Sequence, residues 1–100
     1  MTWKKGQFLI TIYDGDEKVR QTVNGITSNT GTIAVGIHKA ESKDWIVTDI
    51  ATGYMIHISD TQKQAKEWTE DNAPVIEEIL NTEKHDRLIE EVRRCKIKKL

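Results

Sequence analysis

Apolar and polar positions alternate through most of the first sixty residues, then change period. From Trp45 to Ile50, Ile46, Thr48 and Ile50 interleave with Trp45, Val47 and Asp49, the period of two expected of a strand with one buried face. Ala51-Thr52-Gly53 breaks the run, and glycine can take the positive φ that a tight turn requires. Tyr54, Ile56 and Ile58 then alternate with Met55 and His57 on a return strand. Ser59-Asp60-Thr61 supplies candidate N-caps, with Thr61–Gln64 or Ser59–Gln62 in capping-box spacing. Ala65 and Trp68, three apart, share one helical face. The segment reads as strand, turn, strand and capped helix.

The same alternation predicts a first strand over 7–13 with Phe8, Ile10 and Ile12 on one face, and a turn at Asp14-Gly15-Asp16-Glu17. A polar second strand spans 18–23, its charges suited to a sheet edge. Asn24-Gly25 is a hairpin signal, but only Ile26 follows it before Thr27-Ser28-Asn29-Thr30-Gly31. The stretch from 24 to 31 is therefore expected to be an irregular loop. A third strand spans 32–38, with Ile33, Val35 and Ile37 inward. Beyond Thr61 the period lengthens. Pro74 is costly inside a helix but welcome in a first turn, which predicts a break near Asn72 and a restart there. Val75, Ile76, Ile79 and Leu80 form the next stripe. Leu88, Ile89 and Val92 form another after Asn81-Thr82, a pair suited to end one helix and cap the next. A continuous helix from Pro74 to Arg94 competes with that division. The fold class expected is α+β: an antiparallel sheet of four or five strands followed by two or three C-terminal helices packed on one face.

Composition narrows the class. One hundred residues suit a single domain, 1–100, with a modest core. No apolar run approaches the ~18 residues of a membrane span, and Thr11, Tyr13 and Asp14 interrupt the N-terminal apolar stretch before a signal peptide could form. A lone cysteine, Cys95, excludes an internal disulfide. A cytoplasmic location is expected. The net charge of −1 conceals a division: residues 61–80 carry two Lys/Arg against five Asp/Glu, and residues 81–100 carry seven against four.

Candidate chemistry is sparse. His38, His57 and His85 lack the spacing of a zinc site, even with Asp49 or Asp44 added. His85 and Cys95, ten residues apart on one helix, would lie about 15 Å apart along its axis. No nucleophile elbow and no Gly-rich phosphate loop is present, so no catalytic residue, metal or cofactor is expected. Glu77-Glu78 and Glu90-Glu91 are adjacent on helices and diverge by about 100°. Of three tryptophans, Trp45 and Trp68 read as core and Trp3 as exposed. The run Arg93-Arg94-Cys95-Lys96-Ile97-Lys98-Lys99 holds five cations and no acid.

The run Trp45-Ile46-Val47-Thr48-Asp49-Ile50-Ala51-Thr52-Gly53, with Thr61 and Ala65 opening a helix, resembles small accessory proteins of phages and prophages. The resemblance spans some 25 residues and implies a protein that binds and blocks a host protein, as inhibitors of CRISPR effectors do; it transfers no site residue. The expectation is a small non-enzymatic binding protein. Its contact surface would be Glu67, Glu70, Asp71, Glu77 and Glu78 with Trp3, an acidic face able to mimic nucleic acid. The alternative is nucleic-acid binding through Arg87, Arg93, Arg94, Lys96, Lys98 and Lys99 on a C-terminal helix. Apolar stripes in excess of what a thin sheet covers also suggest a homodimer.

Overall fold

The computed structural model describes residues 1–98. The chain is α+β, as expected: five strands, three helices and a short sixth strand. These are β1 (Lys4–Asp14), β2 (Glu17–Thr30), β3 (Ile33–Lys39), β4 (Trp45–Asp49), β5 (Met55–Ser59), α1 (Gln62–Asp71), α2 (Ala73–Leu80), α3 (Glu83–Arg93) and β6 (Lys96–Lys98). The sheet order is β1-β2-β3-β4-β5 with antiparallel neighbours, and β6 adds to β2 in parallel.

Two expectations are corrected. Residues 24–31 are not an irregular loop: β2 runs unbroken through Asn24-Gly25 to Thr30, and the turn falls at Gly31, φ +66°. Gly25 serves close approach rather than a turn, since a Cβ there would lie 2.1 Å from the Ile37 carbonyl oxygen. The basic run after α3 is not helical either. Lys96–Lys98 pairs with Val19–Gln21 along the edge of β2 that faces away from β1.

The helix signals are realised. Thr61 Oγ1 accepts from the Gln64 N–H, Pro74 lies in the first turn of α2, and Thr82 Oγ1 accepts from the His85 N–H. Each cap satisfies an amide that the first turn would otherwise leave unpaired. The stretch from Pro74 to Arg94 is therefore two helices.

β3 is buried on both faces, a departure from the one-sided sheet that alternation implied. On one face Ile33, Val35 and Ile37 join Val47 beneath Ala65 of α1 and Ile76 of α2, with Trp3, Ile56 and Trp68 closing the edges. On the other, the β1–β2 hairpin curls over β3 and β4. Phe8 lies over Gly36, where a Cβ would come within 2.6 Å of its ring, and meets the His38 ring edge-on at 5.9 Å. Ile10 and Ile12 stand across a narrow cleft from Ile46 and Thr48. The curl closes where the Thr11 N–H donates to the Gly53 carbonyl at 2.9 Å, joining the free edge of β1 to the β4–β5 turn. A bulge opposite Val47 and Thr48 alters β5. Ile56 and His57, though consecutive, both reach the α1 side, where the His57 ring stacks on Trp68 with centroids 4.0 Å apart. Ile58 is left exposed rather than sharing a face with Ile56.

Gly53 combines φ +77° with a site where a Cβ would fall 2.6 Å from the Thr11 nitrogen. Gly53→Ala is expected to cost about 2 kcal/mol or more, read as a lowered urea midpoint. His38 is buried with an unpartnered Nδ1, and burial holds its pKa below the ordinary 6.5. Below that pH the unfolded chain takes a proton that the folded chain refuses, so stability falls as pH drops. His38→Leu should flatten this fall in urea titrations run on either side of pH 6.5.

Candidate functional site

The apolar stripe of α2 is wider than the sheet can cover. Its residues follow helical spacing: Ile76 and Leu80 turn to the core, while Val75 and Ile79, four apart, are 50% and 64% exposed. Between them and α1 runs a groove of about 300 Å³ lined by Ile56, Trp68, Asn72, Val75, Ile76, Ile79 and Leu80. Trp68 is held rigid by its stack on His57, and the Asn72 side-chain amide donates to the Trp68 carbonyl at 2.8 Å. The groove is thus a preformed apolar surface beside β5, the outer strand of the sheet at that end.

The predicted acidic face divides into two groups. Glu67, Asp71 and Glu78 are exposed, and each is the chain neighbour of a groove residue: Trp68, Asn72 and Ile79. Glu67 makes only an exposed pair with Lys63, 3.9 Å away. Glu70 and Glu77 instead hold the fold. Glu70 accepts from the Trp3 indole N–H at 3.3 Å and lies 3.8 Å from the N-terminal amine. Glu77 accepts from the N–H and hydroxyl of Thr32, fastening α2 to the β2–β3 turn. Trp3, expected to be exposed, is half-buried against both parts of the core. The chain before β1 lies close enough to α1 for Trp3 to reach Glu70, a proximity with no trace in local sequence.

The predicted basic set is dispersed. Arg87 is on α3, Arg93 pairs with Glu90, Arg94 caps the helix end, and Lys96 and Lys98 belong to β6. Lys98 pairs with Asp14 at 2.5 Å and holds that carboxyl below the usual range. Lys99 lies outside the described residues. The Lys18 ammonium meets the Tyr54 hydroxyl and the Glu91 carboxylate, which together raise its pKa above the ordinary lysine value.

One constellation escaped sequence reasoning. Asp49 ends β4 in full burial. Its Oδ2 accepts from the Thr52 hydroxyl at 2.7 Å and lies 2.6 Å from His85 Nε2, while Oδ1 has no partner. Nothing in the spacing of residues 49 and 85 announces the pair. A carboxylate that orients an imidazole is the arrangement of a general base. The adjoining depression of about 260 Å³ is lined by Thr32, Asp49, Asn81, His85 and Asp86 among others; the one hydroxyl among these lining residues, that of Thr32, is committed to Glu77. The dyad fastens α3 to the end of β4. His38 and His57, which adjoin Ile46 and Val47 on β4, face opposite sides of the sheet. Among the described residues no group of three or more His, Cys, Asp or Glu could hold a metal ion, and no helix is long and apolar enough to cross a membrane.

Comparison with protein-family models, with curated proteins and with solved structures finds no match.

Breaking the buried pair isolates a charge. His85→Ala is expected to destabilise the fold by about 3 kcal/mol or more. Thr52→Val, which removes the donor to Asp49 and the acceptor of the Tyr54 N–H but leaves the imidazole, should cost about 1–2 kcal/mol. Urea unfolding followed by tryptophan fluorescence measures both.

Proposed function

We propose that the protein is a non-enzymatic binding module that seats a segment of another protein in the α1–α2 groove and so blocks or modulates that partner. The segment it suits carries one or two apolar anchors with basic residues at its flanks. The observation that supports this reading is the exposure of Val75 and Ile79 on an apolar groove between α1 and α2, two helices that also carry the exposed acids Glu67, Asp71 and Glu78. Apolar area supplies affinity, and the exposed acids of the same two helices supply long-range attraction and rate of encounter. A partner that itself binds nucleic acid fits the charge requirement, because such proteins present cations around apolar contacts. On this reading the partner is a host protein that a small phage-derived protein would block.

Nucleic-acid binding is the weaker reading. Arg93 and Lys98 are paired with acids, and the Lys18 ammonium is engaged by Tyr54 and Glu91. Among the described residues what is left is no continuous basic stripe with stacking aromatics.

Wild-type protein and Ile79→Asp, compared as baits in a host lysate, test the proposal. A partner retained by the first and lost with the second, with unchanged circular dichroism, is the expected result. The substitution should weaken a purified complex by about 2 kcal/mol, roughly thirtyfold. Equal capture by both baits would overturn the proposal. So would sedimentation as a dimer that Ile79→Asp dissolves, since a second copy would then occupy the groove.

A further inference from the structure

A second cleft, of about 790 Å³, opens between the start of β1, the middle of β2 and the beginning of β3. It shares no lining residue with the α1–α2 groove. Arg20 reaches it from β2, where the residue is flanked by Thr11 of β1 and Ile97 of β6. The guanidinium is poorly used by the protein. Nε is sealed from solvent and has no partner among the described residues, and one terminal nitrogen has a long contact, 3.4 Å, to the Ile50 carbonyl. Among the described residues no carboxylate comes within ion-pair distance of Arg20 or of Lys4, a second cation on the cleft wall. The wall includes no acid.

Burial pulls the Arg20 pKa down from its usual value, and the nearby Cys95 thiol and Asp49 carboxyl offset that only in part, without a direct ion pair. Arginine stays charged at neutral pH all the same, and its planar fork matches a carboxylate or phosphate in two parallel hydrogen bonds. Ser28 and Asn29 add polar groups to the same wall, while Leu9 and Ile50 add apolar surface. The volume lies within the range of small-molecule sites, about 300–1,000 Å³.

We propose that this cleft binds a small organic anion, with its phosphate or carboxylate head on Arg20, its charge further balanced by Lys4, and an apolar body against Leu9 and Ile50. The site is independent of the protein-binding groove.

Titration of the isotope-labelled full chain by NMR, with phenyl phosphate, benzoate and uncharged benzyl alcohol as probes, tests it. Saturable shifts at the Arg20 Nε–H and at the Ser28 and Asn29 amides are expected with at least one anion, and none with the alcohol. Which anion binds more tightly identifies the head group. Arg20→Lys keeps the charge and removes the fork, and should weaken binding roughly tenfold. Lys4→Glu, on an exposed residue at the end of a strand, leaves the fold intact and should also weaken it. No saturable shift with either anion would overturn the proposal. Equal binding of the alcohol, or affinity unchanged in both variants, would do the same.

Discussion

A single buried carboxylate, that of Asp49, anchors the segment on which the rest converges. It ends β4 and fixes the turn that follows: its backbone carbonyl accepts from the Gly53 N–H, its N–H donates to the Tyr54 carbonyl, and its side chain takes the Thr52 hydroxyl. That turn is then held from three directions. β1 reaches it through Thr11, β2 through Arg20 and Lys18, and α3 through His85. A short loop thereby joins a strand edge, the middle of the sheet and the last helix. Because one carboxylate oxygen lacks a partner, the burial is itself costly, and the surrounding hydrogen bonds must offset it.

Curling of the sheet follows from small residues placed where backbones or rings meet. Gly25 admits the Ile37 carbonyl and Gly36 admits the Phe8 ring. With both faces of β3 covered, a chain of this size obtains two thin apolar layers rather than one thick one. The helices cover one layer incompletely, which leaves the stripe of Val75 and Ile79 in water. The hairpin covers the other incompletely, which leaves the cleft at Arg20. The two candidate sites are the unfinished margins of the two layers.

Local chemistry made much of this legible. The Thr52-Gly53 turn, the Thr61 and Thr82 caps and the restart at Pro74 are each decided within four residues, and each is where the sequence places it. What was hidden depends on distant partners. Asn24-Gly25 carries a turn signature, yet its glycine is needed for a contact with β3. Two lysines around Ile97 have no strand pattern; the open edge of β2 makes them one. The exposed groove acids were identifiable from charge alone. Glu70 and Glu77 could not be separated from them, because their structural partners, Trp3 and Thr32, lie 67 and 45 positions away.

The parallel pairing of β6 with β2 bears on how the chain acquires its shape. Val19 meets Lys96 only after the intervening strands and all three helices have been synthesised. Closing so long a loop comes late in folding. Until then the first half of β2 presents unpaired amides along one side while β1 occupies the other. A chain that has not yet reached β6 carries an open template for strand addition along that side of β2, with the cations Lys18 and Arg20 in the exposed stretch.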